Sequence, residues 1–209
     1  MKKFLAILLL TAMLLSLLAG CSKSDPKELP GTWYATLDIT ENINTLLEAM
    51  LGTNAYTVKD LNVIMVLTLK NDGLYLLEAD ARSVSAVFSD MLLQIEELLA
   101  VNIEASMVDE DAALSAEEYL SMSGTTLEEI MEELAVSFEE AGLLDEIVFS
   151  TTSQSSWFAN ESKLTFGATE FSYKIKGDTL TISNGKGDDA VLLALPSSLE
   201  FGKTNPSAE

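Results

Sequence analysis

The hydrophobic period of this chain changes twice, and those changes limit its fold more than any composition figure does. Leu61, Val63, Met65, Leu67 and Leu69 share one face of an extended strand. Asn71-Asp72-Gly73 then supplies a turn, and residues 74–79 return as the second arm of a hairpin. From Ser83 the spacing becomes helical, with Val84, Val87, Phe88, Met91, Leu92, Ile95, Leu98 and Leu99 on one face. Ser115 with Glu118, and Thr125-Thr126 with Glu128 and Glu129, have the form of capping boxes that open two more helices. The last of these turns Leu127, Ile130, Met131, Leu134 and Phe138 inward and stops near Gly142. From Ile147 the period returns to two.

The flanking segments complete the pattern. Residues 32–39 predict a strand with Trp33, Ala35, Leu37 and Ile39 on one face. A short helix follows over 41–51, with Thr40 as N-cap and Gly52 as terminator. Beyond the helices, strands are expected at 147–151, 157–159, 163–166, 170–176, 179–183 and 190–195. The turns between them include Ala159-Asn160-Glu161, Lys176-Gly177-Asp178 and Asn184-Gly185-Lys186-Gly187. The expected fold is mainly β, α+β by content: an antiparallel barrel or strongly curved sheet of about eight strands, carrying a helical insertion at about 83–144. Curling or closing is expected because it removes exposed strand edges.

The N-terminus gives an address. Met1-Lys2-Lys3, an apolar run from Phe4 to Leu18, and Leu18-Ala19-Gly20-Cys21 have the layout of a secretory signal peptide over residues 1–20. The last four residues resemble the bacterial lipobox. That resemblance implies cleavage before Cys21, lipidation of Cys21, and anchoring on the extracytoplasmic face of a bacterial cell membrane. The alternative is an ordinary signal peptide cut nearby, leaving a free thiol. Ser22 would permit outer-membrane sorting in a two-membrane cell. Residues 21–30, polar and with two prolines, read as a tether, and residues 202–209 as a flexible tail.

Gly31-Thr32-Trp33 at the head of the first strand resembles the Gly-x-Trp signature of the lipocalins. More broadly, the chain is similar to bacterial lipoproteins of unknown function with a lipocalin-like domain. The stretches GTWYATLDIT (31–40), LTLKNDGLYLLEAD (67–80), WFANESKLTF (157–166) and YKIKGDTLTIS (173–183) carry that likeness. The resemblance implies that Trp33 closes one end of the barrel beneath an arginine from a late strand. It also implies a binding role, with an apolar small molecule as ligand. The only arginine of this chain is Arg82, just before the helices.

Charge and missing residue types exclude much else. The chain has no histidine, and its one cysteine is the lipidation candidate, which removes disulfides, histidine bases and Cys/His zinc sites. Without residues 1–20, which hold two lysines and no acids, the net charge moves from −21 to −23. Nucleic acid and anionic lipid headgroups, which favour basic surfaces, are disfavoured partners. Between Ser83 and Ser162 lie 18 acidic residues and no lysine or arginine, so the insertion is either a solvated face or a docking surface for a basic protein partner. Asp109-Glu110-Asp111 fails as a calcium loop, because Leu114 and Leu120 stand where glycine and glutamate are needed. Ser-x-x-Lys occurs at Ser24 and Ser183 without the helix start that such catalysts use. No enzyme activity, cofactor or specific metal site is therefore expected. Trp33, Trp157, Phe166, Phe171 and Tyr173 either line an apolar pocket or fill the barrel.

Overall fold

The structure is a computed structural model that describes residues 25–106, 115–143, 145, 152–189 and 195–206. Eight antiparallel strands close into a barrel in sequence order. They are β1 (Gly31–Asp38), β2 (Asn62–Leu69), β3 (Leu74–Ala79), β4 (Ser153–Ala159), β5 (Lys163–Phe166), β6 (Thr169–Lys176), β7 (Thr179–Lys186) and β8 (Ser198–Gly202). Helix α1 (Thr40–Leu51) joins β1 to β2. Helices α2 (Ala81–Ser106), α3 (Ala116–Ser123) and α4 (Leu127–Glu140) lie between β3 and β4. The expected barrel with a helical insertion is the fold the chain adopts. Among the described residues no helix is long and apolar enough to cross a membrane.

The register sends one face of each strand inward. Trp33 stands opposite Leu67, Ala35 opposite Met65, and Leu69 opposite Tyr75. Across the barrel, Tyr173 faces Ile182 and Leu180 faces Phe201. The Phe166 ring lies 4.5 Å from Tyr75 and 5.8 Å from Phe171, both tilted, as aromatic pairs prefer. A ligand-sized hollow would leave accessible surface on the side chains that line it. Trp33, Met65, Leu164 and Leu180 have none, and Phe166 has 2%. Of the five aromatic residues singled out in the sequence, four therefore fill the barrel, while Trp157 is half-buried at its rim.

The end of the barrel where β1 begins, its base, is closed by several parts of the chain. A 3-10 turn at Pro26–Glu28 leads into Leu29, which is fully buried. The Trp33 Nε1–H donates to the Leu29 carbonyl at 2.8 Å. Tyr34 pairs with Gly202, which closes the barrel and brings Lys203 level with Trp33; the Lys203 ammonium lies 5.0 Å from the indole centroid. A lysine thus lies over the indole, whereas the lipocalin resemblance implied an arginine from a late strand. Two assignments shift accordingly. Leu29, placed in the tether by composition, belongs to the core, and Gly202-Lys203, placed in the tail, closes the base.

Other differences have local causes. Thr40 opens α1 rather than capping it, because its hydroxyl accepts from the Leu61 N–H across the barrel end. Helix α2 begins at Ala81, two residues earlier than the pattern suggests, because the Asp80 carboxylate accepts from the Ser83 N–H. Gly185 lies within β7, while Gly187 lies in the bend that follows it. A Cβ on Gly185 would lie 2.5 Å from the Phe171 ring, and one on Gly187 would lie 2.4 Å from Thr169 Cα, so these glycines let β7 pack closely on β6. Strand β8 lies just beyond the strand expected at 190–195. Most of that segment, the strand expected at 147–151, and residues 1–24 with Cys21 lie outside the described residues.

Replacing Trp33 by Phe keeps an aromatic plug but leaves the buried Leu29 carbonyl without its donor. The expected loss is about 1–3 kcal/mol of unfolding free energy, read from denaturant midpoints; an unchanged midpoint would contradict the role given to the indole.

Candidate functional site

The helical insertion leaves the barrel at the end opposite the base, because β3 runs away from its turn at 70–73 and β4 returns toward the base. Its root is fixed. The Ser83 hydroxyl accepts from the Ile64 N–H and donates to the Asp80 carbonyl. Further along α2, the Gln94 amide clamps Lys59, accepting from its N–H at 2.8 Å and donating to its carbonyl at 3.0 Å. The buried face of α2, Val84, Val87, Met91 and Ile95, is the one its sequence spacing predicts.

Both capping boxes form. Ser115 and Glu118 exchange bonds at the start of α3, as Thr126 and Glu129 do at the start of α4. The Ser115 backbone and hydroxyl hold the Glu118 carboxyl below its ordinary value of 4.5. Its share of helix stability is therefore present above that ordinary value and lost as the pH falls through the lowered folded value. On α4 only Phe138 is fully buried, and Leu127, Ile130, Met131 and Leu134 are half-buried.

Between α2, α3 and α4 runs a groove of about 1000 Å³. Glu96, Glu117, Glu118, Glu128 and Glu132 line it, together with Leu127, Met131 and Ala135. Met122 follows Glu118 by four residues and Val136 follows Glu132 by four, so each continues a groove-lining row on its own helix. Met122 is 77% exposed and Val136 is also exposed. Two exposed apolar side chains therefore border the carboxylates. Among the described residues no three acidic side chains converge closely enough to hold a metal ion. The charge is spread along helices, which suits a long cationic face better than a point charge.

One polar chain lies within the barrel. The buried Ser153 hydroxyl donates to Asp189 Oδ2 at 2.8 Å. Its single proton being used, it accepts from the Tyr75 hydroxyl at 2.6 Å. Burial pushes the Tyr75 phenol up, so this tyrosine stays protonated. The chain ties β3 and β4 to the segment after β7. Of the Ser-x-x-Lys spacings, Ser183 lies within β7 and Ser24 falls outside the described residues; so does Asp109-Glu110-Asp111.

The sequence locates the acids of the groove but not the groove itself, because the pairing of α3 with α4 and α2 depends on tertiary packing. Comparison with known proteins adds no assignment: no family model, curated protein or solved structure matches the chain.

Removing both cap hydroxyls, by Ser115→Ala and Thr126→Ala, is expected to cost about 1 kcal/mol at each helix. Hydrogen exchange of the α3 and α4 amides should quicken while that of the barrel strands stays unchanged. Unaltered protection in α3 and α4 would show that the caps contribute nothing.

Proposed function

We propose that the protein is a lipid-anchored extracytoplasmic interaction protein of lipocalin-like architecture. In this reading Cys21 ties it to the bacterial membrane, the barrel is a scaffold, and the acidic insertion binds a basic segment of a partner protein. The observation that carries the reading is the groove: five glutamates interleaved with Leu127 and Met131, flanked by exposed Met122 and Val136. A segment with lysines or arginines on one side and apolar residues on the other complements it in both charge and hydropathy. A small apolar ligand inside the barrel has less support, since the inward side chains pack against one another.

One-signed crowding also fits. Like charges along a helix face repel, and a cationic partner relieves that repulsion as it binds. Such binding is steered by charge and screened by salt.

The test uses the full lipidated protein and a fluorescent lysine- and leucine-bearing amphipathic peptide, read by anisotropy. Saturable binding is expected at low ionic strength. It should weaken by about tenfold or more between roughly 50 and 500 mM salt, and likewise in the Glu128→Gln/Glu132→Gln variant. Absent binding, or binding indifferent to salt and to both substitutions, would rule the reading out.

A further inference from the structure

The large negative charge is not spread evenly over the molecule. The base is formed by residues 25–31, the turns at 70–73, 160–163 and 176–178, and residues 203–206. These segments hold five lysines and five acids, whereas the insertion at the opposite end, beyond Arg82 at its root, has charged residues of the acidic kind alone. A base balanced in this way is not repelled by an anionic surface, while the insertion is.

The base is also where the anchor enters. Asp25 follows Cys21 by four residues, and four residues span at most about 14 Å. A lipid on Cys21 therefore holds this end of the barrel within reach of the bilayer headgroups.

An apolar rim stands at the same end. Leu74 opens β3 opposite Ser156, so Phe158, two residues on, lies diagonally beside it on the outer face. Phe158 is 59% exposed and Leu74 48%. Trp157, one residue before Phe158 on β4, lies on the inner face opposite Phe166 and packs half-buried on the core, which steadies the rim from within. Its indole N–H is fixed by the Lys70 carbonyl at 3.0 Å, and its backbone N–H by the Gly73 carbonyl at 2.7 Å. Leu and Phe side chains exposed at the foot of an anchored domain are the kind that settle into a membrane–water interface.

We infer that Leu74 and Phe158 form a membrane-interface contact that holds the anchored protein upright, with its acidic insertion pointing away from the bilayer. The inference rests on the lipidation of Cys21 but not on the partner assigned to the groove. Overall charge alone argues against anionic lipid, and the distribution of charge over the fold removes that objection for the base.

Cys21 is the only cysteine, so once it is lipidated any introduced cysteine is a unique thiol. Phe158→Cys, Leu74→Cys and Met122→Cys, each spin-labelled in the full lipidated chain, would be floated on phosphatidylglycerol/phosphatidylethanolamine vesicles. Collisions with membrane-dissolved oxygen and with a water-soluble nickel chelate would then be compared. Labels at 158 and 74 are expected to collide several-fold less with the chelate, and more with oxygen, than the label at 122. Labels at 158 and 74 as accessible to the chelate as the one at 122 would overturn the inference, and would be the outcome if this rim meets a protein instead. A chain that does not float with the vesicles overturns the anchor, and this inference with it; a floated chain with a wet rim overturns the rim contact alone.

Discussion

The hydrogen bond from the Trp33 indole to the Leu29 carbonyl holds the base of the barrel together. It fixes the N-terminal segment beneath the barrel, where Leu29 becomes core, and it orients the indole so that Lys203 can sit over its face. Those three elements come from the start and the end of the fold, and the pairing of Tyr34 with Gly202 completes the ring between them. A neutral donor buried with its acceptor costs little, whereas either group left alone in this place would cost the full desolvation of a polar atom. The same contact sets the direction of the whole molecule, since the N-terminal segment enters here and the insertion leaves from the other end.

With the base sealed and the interior packed, the barrel serves as a rigid support. The insertion is rooted on it through α2. Among the described residues its acids other than Glu96 are exposed, Val84, Val87, Met91, Ile95 and Phe138 join the barrel core, and the helix starts are satisfied by Ser115 and Thr126. Gln94 and Ser83 fasten α2 to the backbone beside β2, so the groove is carried on fixed elements rather than on loops. Crowding the acidic groove at the end opposite the base separates two surfaces of different chemistry on one small domain.

Much of this was legible from periodicity. The hairpin at 61–79, the helical face of α2 and both capping boxes follow from residue spacing, because local propensity and burial agree there. What escaped depends on contacts distant in sequence. Lys203 could not be recognised as the partner of Trp33, since only barrel closure brings residue 203 beside residue 33. Gly185 looks like part of a turn, yet it lies within β7 and serves close packing against Phe171. Leu29 looks like tether because its neighbours are polar and prolyl, and its burial is decided by the barrel base it meets. The acidic run was visible as composition, while the groove it lines required the mutual packing of three helices.

The central claim is that the barrel is a solid scaffold and that binding lies outside it. Titration of the native protein with a neutral, environment-sensitive naphthylamine probe tests this most directly, since a neutral dye is not repelled by the acidic surface. No saturable fluorescence gain is expected below the concentration at which the dye self-associates. A one-to-one saturating gain, lost when an inward-facing residue such as Leu180 or Phe166 is enlarged or made polar in a variant that still folds, would contradict the claim and place a ligand inside the barrel.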